Sequence, residues 1–122
     1  MRDSALIQFQ VAEAEGKLGA ARVFLHDTLR RIWADVSRSG SPLSVEQRVQ
    51  IRLASTYGIH QAKQVVDTVH HAAGSSAIFT SSAFERRFRD IHTVTQQLQG
   101  QLRHFETVGA WMMGVDTDLS FV

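Results

Sequence analysis

The sequence predicts an all-α fold, an up-down antiparallel bundle of three long helices with a kink in the third. Three observations carry this. Apolar residues recur in steps of three and four along three long stretches, the spacing of a helix face packed on a neighbour. There is one proline in 122 residues, Pro42, so little interrupts a long helix. Turn residues gather in two short clusters, around 38–43 and 74–76, and short connections make successive helices antiparallel.

The first helix is expected from about Ser4 to Ser37. Its seam is Ile7, Val11, Ala14, Leu18, Ala21, Leu25, Thr28 and Ile32, and Asp3 or Ser4 is the candidate N-cap. Phe24, Leu29, Trp33 and Val36 widen the stripe, which predicts deeper burial of that end. Arg38 to Leu43 (RSGSPL) forms the first turn. Ser44 with Gln47 makes a capping box and opens the second helix, from about Ser44 to Ala72. Its face is Ile51, Ser55, Gly58, Ala62, Val66, Val69 and Ala73, whose small members let a neighbour approach closely. Gly74-Ser75-Ser76 is the second break. Ser82 and Glu85 form another candidate box for a third helix, with Phe84, Phe88, Ile91, Thr95, Leu98, Leu102, Phe105 and Met112 on one face. Periodicity alone draws it to about Met113. Gly100 weakens a helix by about 1 kcal/mol, which predicts a kink or break near Leu98–Gln101. Gly114 to Val122 reads as irregular. The expectation is one helical domain over 1–122.

Composition narrows the function classes. Apolar residues make 43% and charged residues 20% of the chain, the balance of a globular domain rather than a disordered one. Cysteine is absent, which removes thiol catalysis, iron–sulfur clusters and Cys-based zinc sites. Thirteen Lys and Arg against twelve Asp and Glu give a net charge of +1, without the basic excess of a nucleic-acid binder. No apolar run has the eighteen or so residues that cross a bilayer, and MRDSALIQFQ has no signal-peptide pattern. No nucleic acid and no membrane are expected as partners, and a cytoplasmic location is expected. Six histidines are present, with neither HExxH nor Glu-x-x-His, so no metal is expected. GxSxG and P-loop patterns are absent as well.

Chemistry concentrates in one region, Gly74-Ser75-Ser76 followed by the run from Glu85 to Gln97 (ERRFRDIHTVTQQ). A Gly-Ser-Ser turn at a helix end offers backbone N–H groups to an anion, and Arg86, Arg87 and Arg89 add phosphate-binding capacity. The alternative is a solvated helix face, with Arg89 and Asp90 paired to neighbours or capping another helix. Of the adjacent pair His70-His71, one is expected to face a site and the other solvent.

The stretch AAGSSAIFTSSAFERRFRDIHTVTQQ resembles the C-terminal helical domain of the acyl-CoA dehydrogenase superfamily, closest to its type-2 branch with the two-component flavin-dependent monooxygenases. The matching features are Gly74-Ser75-Ser76, Ser81-Ser82, Arg86/Arg87-Phe88-Arg89-Asp90 and Thr93. VAEAEGKLGAARVFLHDT looks like the helix preceding this pattern, and FETVGAWMMGVDTD like the closing segment. The resemblance implies a bundle contributing to the binding of FAD or FMN and to oligomerisation, in a homo-oligomer or beside a partner flavoprotein chain. It implies that Gly74, Ser75 and Ser76 lie near the flavin phosphate or ring, and Thr93 and Gln97 near the isoalloxazine. His70 and Arg89 are further candidates, and Asp90 is read as tying its helix to the neighbours.

Two departures from the family pattern bear on chemistry. Dehydrogenases of this family carry a glutamate base at about Leu98, and Gln96, Gln97, Leu98 and Gln99 include no carboxylate. A general base must titrate, so the bundle does not supply the dehydrogenase base. The monooxygenase branch often has a histidine eight residues after the Arg, where this chain has Gln97, which hydrogen-bonds without titrating. Any activity is therefore expected to be flavin-dependent and to need another chain. By the resemblance, these 122 residues are expected to correspond to the bundle after its first helix, without the family's N-terminal and β-domains. Three amphipathic helices leave a groove open, expected to take a second copy, a partner chain, or an acyl or aromatic small molecule. The alternative function is a non-enzymatic oligomerisation or apolar-ligand-binding module.

Overall fold

The first apolar seam becomes one unbroken helix, α1 (Ala5–Ser39), in the computed structural model, which describes residues 2–122. Its buried residues Ala14, Ala21, Thr28 and Ile32 are spaced seven, seven and four apart, as the seam requires. Ser4 stands at the N-cap without a side-chain capping bond. The second helix, α2 (Val45–Ala73), begins with the full capping box. Ser44 Oγ accepts from the Gln47 N–H at 3.1 Å, and Gln47 Oε1 accepts from the Ser44 N–H at 2.9 Å. Gln47 also donates through Nε2 to Asp35 at 2.8 Å, tying the start of α2 to the end of α1. With Phe24 edge-on to Tyr57 at 5.8 Å, these pairings make α1 and α2 antiparallel.

Gly74 closes α2 with φ 69° and ψ −157°, a conformation that costs a residue with a Cβ far more than glycine. A 3-10 turn over Gly74–Ile78 leads to α3 (Ala83–Gln96), a second 3-10 turn occupies Leu98–Gly100, and α4 (Arg103–Met112) follows. The expected kink is a complete break. The capping box expected at Ser82 is half formed: Ser82 Oγ accepts from the Phe84 N–H at 3.3 Å, while Glu85 turns to Arg89 at 2.9 Å. Beyond α4 the chain is irregular and folds back. Arg48 donates to the Val122 carbonyl at 3.3 Å, and the Arg103 guanidinium lies 5.0 Å over the Phe121 ring, an attractive cation–π placement.

α2 is the centre of the molecule. α1 packs along one side of it, and α3 and α4 run back along another. α1 packs substantially on α2 alone, so the bundle is open rather than closed around one core. The core is correspondingly thin, built mainly from Ala14, Ala21, Ile32, Val49, Ala54, Ala77 and Val108. This corrects one expectation. The second half of α1 is not deeply buried: Trp33 is 76% exposed, and Phe24 and Leu29 are exposed as well. A stripe wide enough for two neighbours meets only one, and its other flank stays bare.

Candidate functional site

The candidate residues fall at three levels along α3. At its start, Gly74, Ser75 and Ser76 are exposed. Gly74 spends its N–H on the His71 carbonyl, and Ser76 Oγ donates to the Ala73 carbonyl at 3.0 Å. A polar cavity of about 360 Å³ lies at the first turns of α3, lined by Thr80, Ser81, Ser82, Ala83, Arg86, Arg87 and Asp90.

The middle level is an aromatic stack across α2 and α3. The Phe88 ring lies 4.3 Å from His70 and 4.3 Å from His92. His92 Nε2 meets Asp67 Oδ1 at 2.9 Å, and Lys63 Nζ donates to Asp67 Oδ2 at 2.6 Å. Partial burial pushes the Asp67 carboxyl up; hydrogen bonds and charge from Lys63 and His92 outweigh it and hold the group below its ordinary value. His70 is thus a half-buried packing residue while His71 faces solvent. On the outer side of α3, Thr93 Oγ1 donates to the Arg89 carbonyl at 3.0 Å, and Arg89 pairs with Glu85. Asp90 does not tie α3 to a neighbour. It is exposed, and its ion-pair partner is Arg86 on its own helix, at 3.9 Å.

The third level is the break itself. Gln97 caps α3 in an extended conformation, φ −74° and ψ 161°. It is exposed, as are Leu98 and Gln99. Behind them, three consecutive carbonyls are each taken by a different side chain. His104 Nε2 reaches Leu98 O at 2.5 Å, Thr56 Oγ1 donates to Gln99 O at 3.1 Å, and His60 Nε2 reaches Gly100 O at 2.8 Å. A carbonyl only accepts, so both imidazoles carry a proton on Nε2. His104 is 2% exposed and Thr56 is 0% exposed. Gly100 is buried, and a Cβ there would stand 2.7 Å from Val94 O and 2.9 Å from Thr95 Cα. A cavity of about 540 Å³ lies alongside, lined by His60, Lys63, Gln64, Thr95, Gln96, Gly100, Gln101 and Leu102.

Thr56, His60, Gly100 and His104 were not legible as site residues. The one signal was Gly100 inside an apolar helical pattern, which marks a break without naming what holds it. The structure does not bring the candidates to one point. The fourteen residues of α3, at about 1.5 Å each, separate the Gly74–Ser76 corner from Gln97 by roughly 20 Å. A mainly apolar groove of about 610 Å³ lies elsewhere, among His26, Leu29, Arg30, Ile32, Trp33, Val36, Leu43 and Ile51. Among the described residues no helix is long and apolar enough to cross a membrane.

Comparison with known proteins gives a consistent result. Residues 1–101 match the family described as acyl-CoA dehydrogenase, C-terminal domain. An indole-3-acetate monooxygenase of Pseudomonas putida is 30% identical over 115 residues, covering 93% of this chain and 29% of that protein. The indole-3-acetate monooxygenase of Acinetobacter baumannii is 29% identical over 89 residues, covering 73% of this chain and 23% of that one. In fold, the chain is similar to the crystal structure of 3-HSA hydroxylase from Rhodococcus sp. RHA1. The TM-score is 0.88 at 20% identity, covering 99% of this chain and 32% of that chain. The chain thus spans less than a third of the relatives it matches.

Proposed function

Because the chain belongs to the acyl-CoA dehydrogenase family through its C-terminal domain, we propose that it is the helical part of a flavin-dependent oxidoreductase of the monooxygenase kind. It acts as one domain over 1–122, in the cytoplasm, within a homo-oligomer or beside a partner flavoprotein chain. The observation that carries the reading is Gln97. The family match reaches through it, it is exposed, and its side chain has no hydrogen-bond partner among the described residues.

The side chains available suit a flavin, FAD or FMN. The rim of its ring system is a row of nitrogen and oxygen donors and acceptors, and a neutral amide such as Gln97 answers both kinds. When bound, the flavin supplies the redox chemistry. The chain's residues supply binding and orientation. Gln97 hydrogen-bonds and does not titrate, so it orients and moves no proton. Ser75, also uncommitted among the described residues, and the Gly74–Ser76 backbone suit a phosphate or a ring edge. Thr93 and Arg89, exposed on α3, precede Gln97 by four and eight residues. His70 supports them from behind through Phe88. The roughly 20 Å between the two ends of α3 is best met by two chains, each giving a different end of α3 to one flavin. The names of the two curated relatives point to aromatic carboxylic acids as the substrate class, and the missing carboxylate at 96–99 argues against dehydrogenation of an acyl thioester.

One observation favours a second reading, a non-catalytic assembly or apolar-ligand module. It is the groove of about 610 Å³ beside the exposed Trp33. Size-exclusion chromatography with light scattering separates the two when absorbance at 280 nm and about 450 nm, where oxidised flavin absorbs, is recorded together. We expect an oligomer with co-eluting yellow absorbance once FAD or FMN is supplied, weakened by Gln97→Ala. A colourless oligomer under the same conditions overturns the flavin reading in favour of the assembly module.

A further inference from the structure

An unbroken helix from Ser82 to Met113 would have satisfied its own carbonyls. This chain instead breaks the helix and rebuilds the bonds from elsewhere. Leu98, Gln99 and Gly100 each give a carbonyl to a different side chain, two from α2 and one from α4. A turn facing water needs no such provision, because water accepts and donates at little cost. Here two of the three donors, Thr56 and His104, are sealed in the interior, where a donor left unpaired is costly. Gly100 completes the arrangement, since its neighbours' backbone occupies the space of a Cβ. The product of this construction is an outward display. Gln97, extended, and Leu98 and Gln99, in the 3-10 turn, are exposed while the Leu98, Gln99 and Gly100 carbonyls are held from behind.

We propose that His104, Thr56 and His60 are positioning residues that fix the Gln97–Gln99 segment toward the flavin, so that the Gln97 amide is set before the cofactor arrives. The inference rests on the flavin reading above and assigns residues that it does not use. None of the three touches the flavin; each acts through a carbonyl. Pre-set geometry raises affinity because the ordering cost is met on folding rather than on binding. His104 is the strongest of the three, being the most enclosed imidazole and bonded to the carbonyl nearest Gln97.

The test uses four proteins: the native chain, T56V, H104L and H104Q. T56V keeps the volume and removes the donor. H104L fills the space without a donor, and H104Q restores an Nε2–H at similar reach. Two readouts are taken on each. The first is hydrogen–deuterium exchange of the 94–102 peptide, whose amides at Gln97, Gly100 and Gln101 are bonded within the turn. The second is the affinity and visible absorption band of added FMN and FAD. We expect exchange in 94–102 to quicken roughly ten- to hundredfold in T56V and H104L, with α1 unchanged, flavin affinity reduced about tenfold or more by loss of pre-organisation, and both effects reversed in H104Q. Should H104L not fold, T56V carries the test, since it alters one donor at equal volume. Native exchange rates in T56V overturn the proposal. Quickened exchange with unaltered flavin affinity and absorption band also overturns it, leaving the three residues a purely architectural role. Failure of the native chain to take up either flavin defeats the flavin reading itself, and this role with it, whatever the exchange rates.

Discussion

Asp67 shows how one residue ties two helices together. Its two oxygens are divided between Lys63 on its own helix and His92 on α3. Partial burial raises the carboxyl, and the two partners lower it by more. A carboxylate whose native value lies below its unfolded value, about 3.9, contributes stability above that pH. The contribution is lost as the pH falls through the native value. Asp67→Asn should therefore lower the melting temperature at pH 7, and the gap to the native protein should close below about pH 4. The side chain is about one-third exposed, so screening keeps the effect to about 1 kcal/mol or less. Thermal melts of both proteins from neutral pH down to acid test this, and a gap that stays constant with pH would show that the pairing contributes nothing. The sequence placed His92 in the right segment but not opposite Asp67, because that pairing spans 25 positions and depends on how α3 lies along α2.

At the scale of elements, the decisive position is Gly100. A methyl group there meets backbone rather than a yielding side chain, at 2.7 Å from Val94 O and 2.9 Å from Thr95 Cα. Gly100→Ala should destabilise the chain by about 1–3 kcal/mol, although the same change in an open helix would stabilise it by about 1 kcal/mol. Urea unfolding settles the sign, and a stabilised variant would mean that the turn has room to move. Much of the element structure was legible in the sequence. Seam spacing marked α1 and α2, Ser44 and Gln47 formed the box they spelled, and Gly100 marked the break. What stayed hidden was tertiary. The half-made box at Ser82 follows from Glu85 choosing Arg89, four residues on. Trp33 is exposed because periodicity says which residues share a face, not whether that face has a neighbour. The donors to the break stayed hidden for the same reason: Thr56 and His60 come from 43 and 40 positions away.

On the scale of the whole molecule, an open bundle leaves α1 with a second face. Phe9, Gly16 and Val23 recur every seven residues on the side away from the buried Ala14–Ala21 seam. Phe9 and Val23 are 64% and 69% exposed. A Cβ at Gly16 or Gly19 would meet nothing within 4 Å. Two glycines inside a long helix cost about 1 kcal/mol each against alanine, and nothing in the chain makes use of the space they leave. In the proposed assembly that space has room for a second helix in close approach. The double change Gly16→Ala, Gly19→Ala then has opposite effects on two measurements. It should stabilise a single chain against urea by about 1–2 kcal/mol through helix propensity. It should also weaken association, lowering the mass found by light scattering at a given concentration, because added methyl groups force the helices apart. Greater stability with an unchanged oligomer mass would show that this face of α1 is solvated and that any assembly uses another surface. The groove beside Trp33 is the next candidate. In that case Trp33 fluorescence, rather than the glycine pair, should follow association, because an indole moving from water into an apolar contact shifts its emission to the blue.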